Sequence, residues 1–527
     1  MKTGKIAVIA LLSLITTALP SVSLAQESLV ELVRSGQREA VLSALESADI
    51  AVDAPAPDGA TALLWATYQV DHELVRALLD AGAKPDTTSR YGSTPLTEAV
   101  KLGDIDLVRM LLEAGSDPDA PNQDSQTALM LAANIGAVDI AQLLIDNGAD
   151  VNAVETFRGQ TALMWAAAEN HPDVAELLVQ HGADVSLRAV HDDWPRQMTS
   201  EPRAQFRQTG GLTALLYATR SGCYRCAVAI VEAGADINQP NPDGITPLLN
   251  AIDARSFDIA MYLIEQGANV SAWDMHGRTP LYMAIDMHSF KPRSFFGREP
   301  APREPTEHAA MDIVERLLAM GVDVNHQLTR MRPNGPGRGR FADYMMRGGT
   351  GPLMVATLSN DHEAIDVLLA HGAEVDLYNV FRITPLMVAA GMNGTGRSNG
   401  PGVPGDPQDV AIKTIDLLLD AGADINAQVT DSRTFTAKLD TYVQGRDNEG
   451  RTALHAAATS GWNRVVQHLL DRGADPAIRD AEDQTALDEA LAAATAVTDS
   501  GGGEPDQDKD FEATVALLNA LPSAEDR

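Results

Sequence analysis

Residues 159–184 read Gly159-Gln-Thr-Ala-Leu-Met-Trp-Ala-Ala-Ala-Glu-Asn-His-Pro-Asp-Val-Ala-Glu-Leu-Leu-Val-Gln-His-Gly-Ala-Asp184. Thr161 can cap a helix, because its hydroxyl can accept a hydrogen bond from a free N–H group of the strong helix formers that follow it. Pro172 suits the first turn of a second helix, and Gly182 suits the left-handed position that ends it. The second helix has one apolar face, formed by Val174, Leu177 and Leu178. Two such short helices cannot bury their apolar faces alone, so the stretch predicts a unit that stacks against neighbours.

The opening of this unit recurs along the chain. A Thr or Gly followed by Pro or Ala and then Leu begins at positions 61, 94, 127, 161, 213, 246, 279, 351, 384, 452 and 485. Seven of the ten intervals are 33 or 34 residues, and the other three exceed 33 by 19, 39 and 35. The longer intervals indicate single repeats that carry insertions. The period predicts one elongated array, in which each repeat contacts only its neighbours.

The openings and closings of the repeats resemble those of a known family. Thr-Pro-Leu opens repeats at 94, 246, 279 and 384, and Gly-Ala-Asp closes others, as at 148–150. These motifs resemble the ankyrin repeat, and Thr452-Ala-Leu-His-Ala-Ala457 is the nearest match to its opening. The resemblance covers about residues 28–521. It implies an all-α solenoid of about 11–12 helix-turn-helix units with short β-hairpin fingers, which binds proteins on its concave face. Gly351 stands where the family has Thr, so the cap of that repeat is expected to differ.

The chain divides into repeats and stretches that depart from them. The boundaries are a signal peptide at 1–25, a degenerate capping repeat at 28–53, repeats at 54–186, 211–286, 350–390 and 449–521, and insertions at 187–210, 287–308, 327–349, 391–409 and 428–448. Three insertions, at 187–210, 327–349 and 428–448, lie between repeats, where the finger belongs. The other two lie between the paired helices of one repeat.

The N-terminus has the pattern of a secretory signal peptide. Lys2 and Lys5 precede an apolar run at 6–14, and Ser23-Leu24-Ala25 gives a small-residue cleavage site. An uncleaved membrane anchor is the alternative, but the apolar run is short for a spanning helix. We expect cleavage after Ala25 and a periplasmic or secreted protein.

The charge of the chain limits its partners. The formal net charge is −33, and removal of Lys2 and Lys5 with the signal peptide brings it to −35. A strongly acidic surface disfavours nucleic acid and anionic membranes as partners. We therefore expect a monomeric protein that binds another protein, binds no nucleic acid and inserts into no membrane after signal cleavage.

The insertion at 327–349 departs from the acidic composition. Its arginines are Arg330, Arg332, Arg338, Arg340 and Arg347, and Asp343 is its one acidic residue. Because guanidinium groups bind carboxylates in a bidentate way, the insertion could contact an acidic partner. The alternative is a loop that docks on the acidic body of its own chain. The sequence leaves both interpretations open.

Fingertips and the ends of first helices are the candidate partner-binding positions in this family. The candidate residues are Tyr91, Phe157, Arg158, Trp273, Tyr378 and Phe381, with Arg330, Arg332, Arg338 and Arg340 of the insertion. Other positions of the same kind are Arg90, His276 and Arg382 at fingertips, and Tyr68, Gln69, Lys101, Asn134, Glu169, Arg220, Asp253 and Asp286 on helices. Aromatic residues and arginines are the usual anchors of interfaces. The alternative is that these rings pack on a neighbouring finger. For Trp65 and Trp165, inside first helices, we expect core packing.

Cys223-Tyr-Arg-Cys226 is the only cysteine pair. A thiol at a helix N-terminus with this spacing occurs in disulfide oxidoreductases, so Cys223 could be an attacking thiolate. The βαβ context of such enzymes is absent, and Cys226 falls at a core position of the repeat. In an oxidising compartment the pair would form a structural disulfide.

Other catalytic and metal-binding patterns are missing from the sequence. It has no phosphate-binding loop, nucleophile elbow or His-Glu-x-x-His motif, and His276 and His288 are too far apart to suggest a metal site. We expect no enzyme, no cofactor and no metal. The sequence predicts an exported scaffold that binds a partner protein. The alternative is an accessory or protective factor for an envelope redox enzyme, acting through Cys223 and Cys226.

Overall fold

The computed structural model describes residues 28–47, 50–191, 210–289, 307–329, 348–392, 405–430, 448–499 and 509–521. These residues form 24 α-helices and no sheet. The predicted all-α fold is confirmed. The proposed signal peptide at 1–25 lies outside the described residues.

The helices come in pairs, one pair to a repeat. The first helices are α1 (Leu29–Arg34), α3 (Ala62–Tyr68), α5 (Pro95–Leu102), α7 (Ala128–Ile135), α9 (Ala162–Ala168), α11 (Ala214–Ser221), α13 (Pro247–Asp253), α15 (Pro280–Ser289), α17 (Pro352–Leu358), α19 (Pro385–Ala389), α21 (Ala453–Thr459) and α23 (Ala486–Asp499). The second helices are α2 (Arg38–Leu45), α4 (His72–Asp80), α6 (Ile105–Glu113), α8 (Val138–Asp146), α10 (Pro172–Gln180), α12 (Tyr224–Glu232), α14 (Phe257–Glu265), α16 (Ala310–Ala319), α18 (His362–Ala370), α20 (Pro407–Asp420), α22 (Asn463–Asp471) and α24 (Phe511–Asn519).

The chain divides into two compact units, residues 1–128 and 129–527. In the first unit α1 packs on α3 and α3 on α5, while α2 packs on α4 and α4 on α6. In the second unit, first helices pack on first helices from α9 to α23, and second helices pack on second helices from α8 to α16 and from α18 to α24. Within each unit these contacts bury the apolar faces of a repeat against its neighbours, as the period predicted.

The leucine of the opening motif lies in the core of all but the last of the repeats that carry the motif. Ten of these side chains are no more than 5% exposed: Leu63, Leu96, Leu129, Leu163, Leu215, Leu248, Leu281, Leu353, Leu386 and Leu454. Full burial of one leucine contributes about 1.5–3 kcal/mol relative to exposure. The opening threonine orders the same turn, as in Thr161, whose Oγ1 accepts a hydrogen bond from Met164 N at 3.3 Å. Gly351 provides no side-chain cap, and Pro352 at the first helical position starts that helix instead.

The turn between successive repeats forms a finger with a fixed internal geometry. In the finger 241–245, Asn241 Oδ1 accepts hydrogen bonds from Asp243 N (3.0 Å) and Ile245 N (2.9 Å). Several pairs of successive fingers are joined by one backbone hydrogen bond, as from Met275 N to Asp243 O (3.0 Å). Isolated β-bridges join Arg188 to Thr213, His191 to Gly210 and Arg479 to Thr485. The expected β-hairpin fingers are therefore tight turns linked into a ladder.

The residue two positions before each repeat opening has a left-handed backbone. In eight fingers it is a glycine: Gly59, Gly92, Gly159, Gly211, Gly244, Gly277, Gly349 and Gly450. A Cβ at Gly59 would lie 2.9 Å from the backbone nitrogen of Arg90 in the next finger, so glycine permits both the φ angle and the close approach. Ser125, Arg382 and Asp483 adopt the same conformation, with φ of 60°, 59° and 61°. An L side chain is strained there.

Two insertion boundaries differ from those drawn from the sequence. Helix α15 continues through Ser289, so the first residues of the stretch 287–308 are helical. Ser289 Oγ donates a hydrogen bond to Asp361 Oδ2 at 2.7 Å, which anchors this last turn. Helix α20 begins at Pro407, inside the stretch 391–409, because Asp406 caps it and proline suits its first turn.

A polar side chain closes the base of each insertion between repeats. Gln428 Nε2 donates hydrogen bonds to Gly450 O (2.7 Å), on the return of its own finger, and to Arg479 O (3.1 Å), on the next finger. The same two contacts are made by Arg188, to Gly211 and Pro240, and by Gln327, to Gly349 and Tyr378. The side chain therefore fixes the point at which the insertion leaves the repeat.

A second ladder joins the closing turns of successive repeats. A side chain of one closing turn accepts a hydrogen bond from the closing-residue N–H of the next repeat, as Asn152 Oδ1 does from Asp184 N (2.7 Å). Asn238, Asn325 and Asn426 do the same. Asn152 and Asn325 also donate through Nδ2 to the next closing glycine.

Asp376 occupies the same ladder position with a carboxylate. Its Oδ2 accepts from Asp424 N at 3.0 Å, and its buried Oδ1 has no hydrogen-bond partner within the described ranges. Burial raises the pKa of Asp376, and the charge of Asp424 acts in the same direction, although the Asp424 N–H opposes them. The charged carboxylate is therefore disfavoured in the folded protein.

We expect Asp376→Asn to stabilise the protein by about 1 kcal/mol at pH 7, because the amide keeps the acceptor, removes the buried charge and adds a donor. The gain should be full above the raised native pKa of Asp376. It should shrink as the pH falls through that native pKa towards 3.8, the ordinary value of an aspartate, because the wild-type carboxyl then protonates in the folded state. Urea denaturation followed by circular dichroism at several pH values measures the effect.

Asp86→Asn is the matched control. Asp86 Oδ1 accepts from Asp117 N at 3.0 Å in the same kind of contact, but the Asp86 side chain is exposed. Its replacement should change the urea midpoint little. Equal effects of the two substitutions, or a loss of stability in Asp376→Asn, would contradict the assignment.

Candidate functional site

Exposed aromatic side chains are concentrated on fingers and first helices. Among the described residues, the strongly exposed aromatics are Tyr68, Tyr91, Phe157, Tyr224, Trp273 and Tyr378. Tyr91, Phe157, Trp273 and Tyr378 are predicted fingertip residues, with exposures of 73%, 77%, 58% and 45%. Tyr68 ends a first helix, and Tyr224 alone in this set lies on a second helix. Large exposed rings of this kind commonly anchor a partner protein.

The finger 155–160 is one residue longer than the finger 241–245. Glu155, 3% exposed, replaces the usual Asn or Asp and reaches three backbone groups: Phe157 N (2.6 Å), Arg158 N (2.7 Å) and Gln160 N (3.1 Å). Its longer side chain suits the wider turn. The turn presents Phe157 and Arg158 to solvent, with the Arg158 guanidinium carbon 5.7 Å from the Phe157 ring centre.

Helix α11 adds a second ring and a second guanidinium beside this finger. Tyr217 OH is 2.8 Å from Gln160 Nε2, and the Arg220 guanidinium lies 4.9 Å from the Tyr217 ring centre. Burial raises the pKa of Tyr217, while Arg220 and Arg158 are close enough to oppose that shift. The candidate residues did not include Tyr217, Gln160 or Glu155. The 34-residue interval from 127 to 161 was the signal for the longer finger.

The finger 378–383 presents the same pairing of ring and guanidinium. The Arg382 guanidinium lies 4.4 Å from the Tyr378 ring centre. Asn379 Oδ1 holds the turn by accepting from Phe381 N (2.9 Å) and Ile383 N (3.2 Å). A stack of this kind on a fixed turn holds the guanidinium in place before any partner arrives.

Trp273 lies on another finger, where its ring stacks on that of His326 at 5.6 Å between centres and 31° between planes. Half of its surface or more stays exposed, so the indole has one supported face and one open face. Of the remaining positions, Arg90, Tyr68, Gln69, Lys101, Glu169, Arg220 and Asp253 are exposed, and Asn134 and Arg382 are half-buried.

Phe381, His276 and Asp286 are corrections to the predicted exposed surface, because they are 8%, 5% and 3% exposed. Phe381 and His276 stand three residues before a repeat opening, each in a finger followed by one that carries an insertion. Thr329 N, at the neck of such an insertion, donates to His276 O at 3.0 Å, so we attribute the burial to this larger neighbour.

Asp286 is buried because a cation accompanies it. Arg278 donates to Asp274 Oδ2 at 2.6 Å and pairs with Asp253 Oδ1 at 3.4 Å, and Asp286 is within its electrostatic reach. Trp65 and Trp165 are half-buried rather than fully in the core. Trp65 makes an edge contact with Tyr68 at 5.6 Å. The candidates Arg330, Arg332, Arg338 and Arg340 lie outside the described residues.

Cys223 and Cys226 form a disulfide with a Cα–Cα distance of 5.2 Å. Cys223 is the N-cap residue of α12, and its Sγ accepts from Cys226 N at 3.3 Å. Asp71 and Asp361 fill this cap position in other repeats. The two cysteines are 1% and 0% exposed, so the sulfurs are out of reach of a protein substrate.

Several histidines form hydrogen bonds to a neighbouring repeat. His171 Nε2 lies 2.9 Å from Asn134 O, and His468 Nε2 lies 2.8 Å from Asp416 Oδ1. A hydrogen bond to Asp361 raises the pKa of His288. In the part of the chain that the structure describes, no group of three His, Cys, Asp or Glu side chains could hold a metal ion. The described helices include none with the length and apolar character needed to cross a membrane.

Family models match more than half of the chain. Models for ankyrin repeats match residues 29–122, 115–189 and 215–291, and a single-repeat model matches 449–481. The chain belongs to the ankyrin-repeat family. The repeats that open at 351 and 384 fall outside these matches, but they contain the same helix pairs. A comparison with curated proteins finds no match. Ankyrin repeats generally mediate protein–protein interactions.

We expect the Cys223–Cys226 disulfide to resist mild reduction in the folded protein, because both sulfurs are buried. After incubation with reduced glutathione, a maleimide reagent should label neither cysteine in the native chain and both cysteines in urea. Mass spectrometry of the labelled peptides measures the result. Rapid labelling of Cys223 alone in the native protein would instead support the redox alternative.

Proposed function

We propose that this protein is an exported scaffold that binds a partner protein through its fingertips and the ends of its first helices. It acts as a binding surface rather than as an enzyme. The observation that carries the proposal is the placement of the exposed aromatics: Tyr91, Phe157, Trp273 and Tyr378 all stand at fingertips. Aromatic side chains bury a large apolar area with few rotatable bonds, so they favour association.

The rigidity of the fingers supports the same function. Side-chain acceptors such as Glu155 and Asn379 hold the fingertip backbone. Each of these two fingers is also bonded to a neighbour, through Val190 N to Arg158 O and Val380 N to Gly348 O. Ordering of loops and side chains opposes binding by about 0.5–1.5 kcal/mol per immobilised side chain. A surface that is already ordered avoids most of this cost.

Site-specific photo-crosslinking in the source cells tests the proposal. A benzoylphenylalanine residue is placed at Phe157, at Trp273 or, as the control, at Tyr224, an exposed tyrosine of a second helix. We expect crosslinked partner bands from positions 157 and 273 on illumination and none from position 224. Bands from 224 alone, equal bands from all three positions or no bands at all would count against binding by the fingertips.

We infer export from the N-terminal sequence, and the disulfide supports it. Disulfides persist in oxidising compartments such as the bacterial periplasm and are rare in the cytosol. The redox alternative has less support, because burial of Cys223 and Cys226 leaves no sulfur open to attack.

We expect N-terminal sequencing of the protein, recovered from the periplasmic or secreted fraction, to begin at Gln26. The measurement separates a cleaved signal peptide from a retained anchor. A chain that still begins at Met1 and pellets with membranes would show that export by a cleaved signal is wrong.

A further inference from the structure

Several arginines of the described second helices are ion-paired, whereas two fingertip arginines lie over aromatic rings. On second helices, Arg225 pairs with Asp173 (2.7 Å) and Arg464 pairs with Asp409 (2.6 Å). At the fingertips, Arg158 and Arg382 lie over the rings of Phe157 and Tyr378. Within the described residues, neither fingertip guanidinium has a carboxylate in ion-pair range.

The backbone at Arg382 is a second observation on this fingertip. Its left-handed φ of 59° falls at the position where eight other fingers have glycine. Arginine is strained there, and strain of this kind commonly accompanies a functional site. Glycine would relieve the strain, but Ser125 and Asp483 adopt the same conformation in two other fingers. The strain at Arg382 therefore supports a function only together with the stack of its guanidinium on Tyr378.

The turn of the longer finger, 155–160, is built so that Arg158 is exposed to solvent. Glu155 is buried with three N–H groups on its carboxylate, and the result of that turn is the exposure of Phe157 and Arg158. Arg220, over the ring of Tyr217, brings a second guanidinium to the same side. The finger therefore offers cations and ring faces together.

We propose that the fingertips 155–160 and 378–383 each bind acidic groups of the partner protein, with Arg158 and Arg382 contacting its carboxylates and Phe157 and Tyr378 contacting its apolar groups. This inference rests on the proposed protein-binding function and adds the chemistry of the partner. A stacked guanidinium keeps N–H groups at its edge for a bidentate contact with a carboxylate. Repulsion from the acidic body fades within about 8 Å at physiological ionic strength, so the contacting groups determine the preference.

Selection from a random peptide library tests this chemistry without a known partner. Twelve-residue peptides displayed on phage are selected on the immobilised mature chain, and the enriched pool is sequenced. We expect enrichment in Asp and Glu. The variant carrying Arg158→Ala and Arg382→Gly should bind a selected acidic peptide at least about tenfold more weakly, as expected for loss of charge-assisted contacts.

Two controls keep the result specific. Arg316→Ala removes one exposed arginine from the second helix α16, and it should leave the affinity within about twofold, since it alters net charge alone. Arg382→Gly by itself should raise the urea midpoint while it weakens peptide binding, because it removes backbone strain and the contacting cation together. Loss of binding in this variant could not then be ascribed to unfolding.

Several outcomes would overturn the inference. They are a pool without enrichment, enrichment of neutral or basic peptides, or acidic peptides that bind the double variant as well as the wild type. Equal loss in Arg316→Ala would show that net charge alone acts. Neutral peptides that depend on Phe157 would overturn the acidic chemistry and leave the proposed fingertip function standing, which the crosslinking experiment tests separately.

Discussion

Each repeat of this protein can bury its apolar faces only against the next repeat, and this constraint governs the rest of the structure. Its helices are short, with five residues in α19 and seven in α9, and isolated helices below about 12–15 residues are marginal in water. Stacking supplies the stability that the isolated helices lack. It does so through the buried opening leucines and the two hydrogen-bond ladders at fingers and closing turns. Because the same contacts recur at the junctions, they determine the backbone of a finger, and the exposed side chains of the finger have little influence on it.

The fixed backbone makes local departures informative. At the finger base a short Asn or Asp is usual, and Glu155 replaces it in one finger. At the tip a glycine relieves the left-handed turn in eight fingers, and Arg382 is one of three residues, with Ser125 and Asp483, that replace it. Each replacement has a structural cost, a buried carboxylate in one finger and backbone strain in the other. Sequences tend to break local rules where function requires it. Both departures occur in fingers that place an arginine over an aromatic ring. The two structural costs therefore accompany the same kind of surface.

The repeat architecture could be predicted from the sequence because its determinants are local. The period, the Thr161 cap and the apolar face of Val174, Leu177 and Leu178 act within one unit, and all are present in the structure. Exposure at the fingertips could not be predicted as well, because it depends on the neighbouring finger. Tyr91 and Phe381 share a register, yet the first is exposed and the second is buried beside an insertion-bearing finger. The helical residues at 407–409 were missed for a different reason, since the capping signal of Asp406 and Pro407 was read as part of a loop.

The insertion necks connect the regular array to its variable parts. Gln327, at the base of the arginine-rich insertion, donates to Tyr378 O at 2.9 Å, and Val380 N donates to Gly348 O at 3.0 Å on the insertion's return. The finger that presents Tyr378 and Arg382 is therefore hydrogen-bonded to both sides of that neck. An acidic segment bound at Arg382 would lie beside the point where the insertion leaves the repeat. The insertion could bind an acidic partner or dock on the acidic body of its own chain. Only in the first case would its arginines add to the positive charge that Arg382 already places on the partner-binding surface.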